Sequence, residues 1–246
     1  MFSAAKKHTI ERIRTTPLRI NPFPHLFIEE IFPRDFYAEM QRHRLPDESL
    51  RSLVSTGRVN QAYSPERLCY MPTEQPADAN AAASGQFWQT LFATYNDEEF
   101  LNVWMERFAQ HLKKRVDNGF LFADNATNPR TEMFLMRDKN NYVLRPHTDV
   151  PSKAVSALFY LPPDDRFEML GTSLYRPKGN GPVAFGAHLE REDFDLIGTI
   201  PFRANAMLGF PNLPGSLHGV EQVDGSNKVR DILLYDVKFF PRSPAA

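Results

Sequence analysis

The pattern of apolar and polar positions changes about halfway along the chain. From about residue 119 to the end, short apolar runs with a period near two predict β-strands over 131–137, 142–145, 154–161, 173–176, 205–210 and 232–239. Polar segments rich in turn-forming residues separate these runs, over 138–141, 162–165, 178–181 and 224–227. Short strands at this spacing are typical of a sandwich or a jelly roll.

The preceding region has a mainly helical pattern. A short apolar strand is expected over 25–28, followed by a helix over about 33–40. Asp97 is a candidate N-cap of a longer helix. That helix carries large apolar residues on one face at helical spacing, and we interpret the face as core: Phe100, Leu101, Trp104, Phe108 and Leu112.

These patterns predict a mainly β protein with N-terminal helices. Residues 1–118 are expected to pack as a strand and helices on a β core formed by 119–246, within one structural domain. Segment 55–80 has little periodicity and is expected to form a long loop.

Composition and charge narrow the class of protein. The formal net charge of −1 gives no long-range attraction to nucleic acid or to an anionic membrane. The single cysteine, Cys69, can form no internal disulfide and is expected to be a small, partly buried hydrophobic residue. Residues 1–14 lack the apolar core of a secretory signal, and no apolar run is long enough to span a bilayer. A cytoplasmic protein with no nucleic-acid or membrane partner is expected.

Two histidines and one aspartate are candidate metal ligands. His147 and Asp149 end a predicted strand, and residues two apart in an extended segment face the same side. This pair alone is also typical of a solvated surface. His218 lies about seventy residues later, and a jelly roll brings such distant strands together. The resulting set is that of non-haem Fe(II) oxygenases. Asn212 and Ser216 either orient His218 or cap the loop before it.

Arg230 is the next candidate, twelve residues after His218 at the start of an apolar strand. One interpretation is a salt-bridged arginine at a strand end. The other is a bidentate clamp for the distal carboxylate of 2-oxoglutarate, which suits a planar guanidinium.

The order H-x-D, distal His and then Arg about a dozen residues later resembles the Fe(II)/2-oxoglutarate-dependent oxygenase superfamily. Segments 22–30, 142–149, 158–161 and 170–175 resemble the entry strand, the first metal strand and later core strands of its prolyl-hydroxylase-like branch. The resemblance implies a double-stranded β-helix of the cupin-like, jelly-roll type. It also implies Fe(II), with 2-oxoglutarate and dioxygen as co-substrates, succinate and CO2 as products, and ascorbate as an optional reductant.

By the same resemblance, His147, Asp149 and His218 are the catalytic metal ligands, and Arg230 binds the co-substrate. Position 232 departs from the pattern, because Ile232 stands where many relatives carry a hydroxylated residue. The distal carboxylate would then need its second donor from elsewhere in the fold.

Tyr160 and Arg137 are two further candidates for co-substrate binding. Tyr160 shares a strand face with Ser156 and Leu158, and plain core packing is the alternative. Arg137 lies ten residues before His147 and is expected to bind the co-substrate or the substrate, or else to be exposed.

Several activities remain open. Asp149 favours hydroxylation of an unactivated C–H bond, since the halogenating relatives lack this carboxylate. The expected substrate is a small metabolite, such as an amino acid, a sugar unit or a natural-product intermediate. Arg58, Arg67 and Arg145 are candidate anchors for an anionic substrate. A peptidyl residue, as in prolyl hydroxylation, is the alternative substrate. A cupin-type metal enzyme or a binding module, without 2-oxoglutarate, is the alternative of another class.

Overall fold

The structure, a computed structural model, describes residues 1–59, 64–71, 79–122, 126–139, 142–179, 185–186, 189–222 and 228–241. The helices are α1 (Phe2–Thr15), α2 (Arg34–Arg42), α3 (Ala79–Tyr95), α4 (Glu98–Arg107) and α5 (Ala109–Asp117). The strands are β1 (Leu26–Glu29), β2 (Arg51–Ser52), β3 (Arg67–Tyr70), β4 (Ala126–Lys139), β5 (Leu144–His147), β6 (Lys153–Tyr160), β7 (Thr172–Pro177), β8 (Phe194–Ile200), β9 (Ala206–Pro211), β10 (His218–Val220) and β11 (Val229–Pro241).

The strands form two antiparallel sheets whose inner faces share a core. The larger sheet has the order β1-β9-β6-β11-β4-β3-β2, and the smaller has the order β5-β10-β7-β8. Strands β4 to β11 contribute four strands to each sheet, and sheet neighbours such as β6 and β11 are distant in sequence. This is the eight-stranded jelly roll, or double-stranded β-helix. The predicted fold class is confirmed.

The two faces of the larger sheet have different environments. On β11, Leu233, Tyr235 and Val237 pack into the core beneath the helices. The intervening residues, such as Ile232 and Leu234, face the space between the sheets. Because side chains of a strand alternate, the even-numbered residues of β11 line the interior of the jelly roll.

The N-terminal region extends the larger sheet at both edges. β1 pairs with β9, and β3 pairs with β4, with Arg67 opposite Asp138. The prediction that 55–80 forms a loop is therefore wrong for β3, where Cys69 is fully buried rather than partly buried. Residues 60–63 and 72–78 of that segment lie outside the described residues. Strand β3 has only four residues, which is too short for a hydrophobic period to be recognised in the sequence. It forms because it pairs with β4.

The helices cover the outer face of the larger sheet. Asp97 caps α4 as predicted, because its Oδ1 accepts a hydrogen bond of 2.9 Å from the backbone N–H of Phe100. The predicted apolar face is buried, at Phe100, Trp104, Phe108 and Leu112. It belongs to two helices rather than one, since Phe108 is both the C-cap of α4 and the N-cap of α5. Among the described residues, no helix combines the length and apolar character needed to cross a membrane.

Helix α4 packs so closely on β9 that Gly209 has no room for a side chain. A β-carbon there would lie 2.7 Å from the indole of Trp104. We expect Gly209→Ala to lower the free energy of unfolding by about 1–3 kcal/mol through overpacking, as measured by urea denaturation. Gly198→Ala on β8 is the matched control, since its β-carbon would meet nothing within 4 Å. An unchanged stability of Gly209→Ala would contradict this packing.

Candidate metal centre and its cavity

A cavity of about 280 Å³ lies between the two sheets. Its wall on the larger sheet is apolar in the middle and charged at both ends, because β11 presents Ile232 and Leu234 between Arg230 and the pair Asp236 and Lys238. The smaller sheet contributes polar groups, among them His147, Asp149, Thr172 and His218. The cavity therefore has the mixed lining that is typical of small-molecule sites.

The three predicted metal ligands meet on the smaller-sheet side of this cavity. β10 pairs with β5 so that His218 lies directly opposite His147, and Asp149 follows two residues after β5 ends with His147. One ligand atom from each side chain lies within 4.8 Å of the other two. The separation between Nε2 of His218 and Oδ2 of Asp149 is 4.0 Å. Strand register thus brings together side chains from distant parts of the chain.

Backbone carbonyls orient both imidazole rings. Nδ1 of His147 lies 3.0 Å from the carbonyl oxygen of Arg145, and Nδ1 of His218 lies 3.0 Å from that of Ser216. Because a carbonyl only accepts, each Nδ1 carries the hydrogen and each Nε2 carries the lone pair that a metal ion requires. The Ser216 hydroxyl donates to the Pro211 carbonyl. Ser216 therefore caps the loop with its side chain and orients His218 with its backbone.

The protonation states of the buried ligands also suit a metal ion. Burial opposes ionisation of Asp149, but Lys153 and the two histidines outweigh it and hold the pKa of this carboxyl well below its ordinary range. Burial lowers the pKa of His218, more than the nearby Asp149 raises it. Near neutral pH the site therefore offers a carboxylate and, at His218, an uncharged imidazole, which are the forms that bind metals.

The donor set fits a catalytic iron. Two imidazole nitrogens and one carboxylate oxygen on one wall of a cavity form the facial set that leaves positions for other ligands. The side chains of His147, Asp149 and His218 supply this set and line the cavity. Structural zinc sites, by contrast, are closed by four protein ligands.

A buried arginine that the sequence did not single out holds the segment after Asp149. Arg115 of α5 is 2% exposed. Its guanidinium donates to five backbone carbonyls, those of Phe120, Leu121, Pro151, Lys153 and Asn212, at 2.6–3.3 Å. The Asn212 amide donates to the Asp149, Val150 and Lys153 carbonyls. Arg115 lies in a basic run that looks like a solvated helix face, so its role depends on tertiary contacts alone.

Arg230 lies at one charged end of the cavity, in a buried network. Its Nε donates to the Leu170 carbonyl at 2.7 Å, its Nη1 to Asp138 at 2.8 Å and its Nη2 to the Thr172 hydroxyl at 3.0 Å. Arg67 of β3 donates to both oxygens of the same Asp138, at 2.5 and 2.8 Å. The predicted salt bridge at this strand end exists, and it faces the cavity.

Tyr160 contacts this network rather than the cavity itself. It is fully buried, and its hydroxyl donates to Thr172 Oγ1 at 2.8 Å. Thr172 lines the cavity and accepts from both Tyr160 and Arg230. The predicted strand face is right, because Ser156 and Leu158 line the cavity. Thr172, which the sequence pattern did not single out, is the residue that reaches the cavity.

The structure does not bring Arg137 into the site. Arg137 forms a salt bridge with Asp231 at 2.6 Å and another with Asp47 at 2.6 Å. These groups lie on the helix side of the larger sheet, because β4 and β11 turn alternate residues to opposite faces. The predicted contact of Arg137 with the co-substrate is therefore wrong. Arg145 is exposed and pairs with Glu190, whereas Arg58 and Arg67 line the cavity.

Comparisons with known proteins give structural likenesses only. No protein-family model matches the sequence, and a search of curated proteins finds no match. Among solved structures, the chain is similar to a Pseudomonas putida prolyl-4-hydroxylase, with 13% identity, coverage of 97% of this chain and 99% of that one, and a TM-score of 0.48.

Two further similar structures contain ligands. One is a prolyl hydroxylase from Trichoplax adhaerens in complex with a hypoxia inducible factor peptide fragment, with 12% identity, 96% and 90% coverage and a TM-score of 0.47. The other is HygX from Streptomyces hygroscopicus with nickel, 2-oxoglutarate and hygromycin B bound, with 17% identity, 87% and 82% coverage and a TM-score of 0.46. At these identities and scores, the function has to be argued from the side chains of the site.

The triad generates the first prediction for this site. We expect Asp149→Ala and His218→Ala each to weaken Fe(II) binding by more than about 100-fold, because loss of a ligand exceeds the loss caused by its supporting contacts. Anaerobic calorimetric titration measures this affinity. His111→Ala, on α5 and away from the triad, is the control and should bind Fe(II) normally. Normal binding by either triad variant would remove that residue from the metal site.

The second prediction for this site concerns Arg115. Arg115→Met removes five hydrogen bonds to backbone carbonyl oxygens, and we expect a loss of at least about 2 kcal/mol in the free energy of unfolding. The loosened segment after Asp149 should also weaken Fe(II) binding about 10-fold. Urea denaturation and metal titration measure the two effects. Lys113→Met, on the exposed face of the same helix, should change neither. Unaltered metal affinity in a folded Arg115→Met protein would limit Arg115 to a structural role.

Proposed function

We propose that this protein is an Fe(II)/2-oxoglutarate-dependent dioxygenase that hydroxylates a C–H bond of a small molecule. The observation that carries this proposal is the convergence of His147, Asp149 and His218 within 4.8 Å, in a cavity that also contains Arg230. In the proposal, the three side chains hold Fe(II), and Arg230 binds the distal carboxylate of 2-oxoglutarate.

The charges at the Arg230 end support binding of one carboxylate. Two guanidinium groups, Arg67 and Arg230, share the carboxylate of Asp138, so neither has that anion to itself. All three side chains are nearly buried, and a charge that is only partly compensated is unfavourable there. The distal carboxylate of 2-oxoglutarate would supply a further negative charge to Arg230.

The hydrogen-bonding capacity at this end supports the same ligand. A guanidinium has five N–H donors, and the contacts of Arg230 to Leu170, Asp138 and Thr172 use three of them. Thr172 accepts from Arg230 and Tyr160, which leaves its own O–H to donate into the cavity. Thr172 is therefore our candidate for the second donor that Ile232 cannot supply.

When bound, iron would activate dioxygen, the oxidant of the reaction, with one oxygen atom passing to the substrate C–H bond and the other to succinate as 2-oxoglutarate loses CO2. The protein's own residues hold and shield the reactants. His147, Asp149 and His218 bind the metal on one wall, and the opposite wall presents apolar side chains that exclude water, among them Phe134, Met136, Leu158 and Ile232. Tyr160 acts as a positioning residue, because its hydroxyl fixes Thr172.

The size of the cavity supports a small substrate. Its volume of about 280 Å³ lies just below the range of about 300–1,000 Å³ for small-molecule sites. A free metabolite fits such a space better than an extended peptide, which needs a groove. The alternative is a peptidyl substrate, as in prolyl hydroxylation, and a substrate screen should therefore include peptides.

The co-substrate assignment is tested by spectroscopy without knowledge of the substrate. Fe(II) and 2-oxoglutarate added anaerobically should produce a visible charge-transfer band. We expect Arg230→Met to weaken 2-oxoglutarate binding by at least about 10-fold, because it removes charge-assisted hydrogen bonds. Arg230→Lys, which keeps the charge beside Asp138, should weaken it less. Arg176→Met is the control, because Arg176 is an exposed residue near the end of β7.

The same experiment separates the proposal from its alternative. If the metal-loaded protein gives no band with 2-oxoglutarate, the co-substrate assignment fails and a cupin-type metal enzyme becomes the better interpretation. If the band forms with equal affinity in Arg230→Met, Arg230 has only the structural role of pairing with Asp138.

A further inference from the structure

Four charged side chains line the end of the cavity far from Arg230, and a fifth, Glu132, pairs with two of them. We call this group the ion-pair wall; it consists of Arg58, Glu132, Lys153, Asp236 and Lys238. On β11, Lys238 lies eight residues from Arg230 on the same face, which corresponds to about 25 Å along an extended strand. The ion-pair wall is therefore a separate feature from the network around Asp138.

Its members are linked by consecutive ion pairs. Arg58 Nη2 lies 2.6 Å from Glu132 Oε2, which also pairs with Lys238. Lys238 Nζ lies 3.7 Å from Asp236 Oδ2, and Lys153 Nζ lies 2.9 Å from the same oxygen. Strand register produces this arrangement, because Asp236 is opposite Glu132 on β4 and opposite Ser156 on β6.

The wall also reaches the metal site. Lys153 Nζ lies 2.9 Å from Asp149 Oδ1, and Ser156 Oγ lies within hydrogen-bond distance of both Asp149 and Asp236. A molecule that contacts Asp236 or Lys238 from the cavity would therefore lie beside the group that holds the metal.

Folding stability does not explain such a wall. The side chains of Lys153, Asp236 and Lys238 are 13%, 1% and 14% exposed. Buried ion pairs are on average no more stabilising than apolar residues of the same volume, because both charges lose their hydration. In a cavity, charged groups that converge on one space are instead the means by which a site selects its ligand.

The charge balance of the ion-pair wall indicates whether the ligand is an anion or a cation. Asp149 pairs with Lys153, but in the proposed function it also binds the metal, whose positive charge offsets its negative charge. Apart from Asp149, the wall has three cations, Arg58, Lys153 and Lys238, against two carboxylates, Glu132 and Asp236. One positive charge is in excess in this group.

We propose that the substrate is a small molecule with one carboxylate group, bound by Lys238, Lys153 and Arg58 while its C–H bond faces the metal site. This inference rests on the proposed oxygenase function and names its substrate class. A carboxylate supplies the single negative charge that the wall lacks. A phosphate would supply more, since it carries about −1.5 to −2 near neutral pH. A peptidyl proline would supply none.

The test uses the full-length protein with Fe(II) and 2-oxoglutarate, kept anaerobic. The probes are small carboxylic acids, including L-amino acids and hydroxy acids, and the primary amide of each. Binding is followed by the change that each probe causes in the charge-transfer band. We expect at least one acid to bind, and its amide to bind at least about 10-fold more weakly, because charge-assisted hydrogen bonds are lost.

Variants of the wall refine the test. Lys238→Met and Arg58→Met should each weaken binding of that acid by at least about 10-fold, and Lys238→Arg should largely retain it. The 2-oxoglutarate band itself should form in all three. Arg130→Met is the matched control, because Arg130 is an exposed residue of β4. Arg58→Met replaces Lys238→Met as the test if the latter does not fold.

Each other result is decisive. If amides bind as well as acids, if only neutral or cationic compounds bind, or if no acid binds to a protein with a normal band, the inference is overturned and the proposed function stands. Normal acid binding by the folded Met variants would overturn it as well. If the wild-type protein forms no band, the proposed function fails, and this inference fails with it.

Discussion

The antiparallel pairing of β10 with β5 is the contact on which the candidate metal centre depends. It sets His218 opposite His147 in a strand of only three residues. The close approach of the strands requires Gly219, because a β-carbon there would lie 2.5 Å from the Leu144 carbonyl oxygen. The carbonyls of the same segments turn both imidazoles so that Nε2 is available to a metal. Backbone geometry thus supplies both the position and the tautomer of the ligands.

The larger sheet performs a second task by separating two environments. Neighbouring residues on β4 and β11 form two salt-bridge networks on opposite faces, Arg137 with Asp231 beneath the helices and Asp138 with Arg230 in the cavity. A register shift of one residue would exchange these faces and move the apolar core into the cavity. The long pairing of β11 with both β4 and β6 prevents such a shift. Stability of the fold and composition of the cavity therefore depend on the same strand.

Charge is distributed in the cavity as two incomplete ion-pair clusters. The cluster at Asp138 joins two guanidinium groups to one carboxylate, and the ion-pair wall has one more cation than carboxylate when Asp149 is counted with the metal. Positive charge that is not fully balanced is unfavourable where the side chains are buried. A site of this kind gains affinity and specificity for carboxylates from charges that contribute little to folding. The same reasoning links the proposed co-substrate and the proposed substrate class, although they lie at opposite ends of the cavity.

Local information in the sequence was sufficient for the period-two strands, the Asp97 cap, the buried face of α4 and α5, and the common face of His147 and Asp149. These features depend on residues a few positions apart. Other features required the tertiary structure. These are strand β3, the hydrogen bonds of Arg115 to the segment after Asp149, the position of Thr172 in the cavity and the position of Arg137 outside it. Each depends on which distant strand lies alongside and on which face a side chain emerges, and one residue of register reverses that face. The meeting of His218 with His147 is of the same kind, because two strands far apart in sequence become neighbours only when the jelly roll closes.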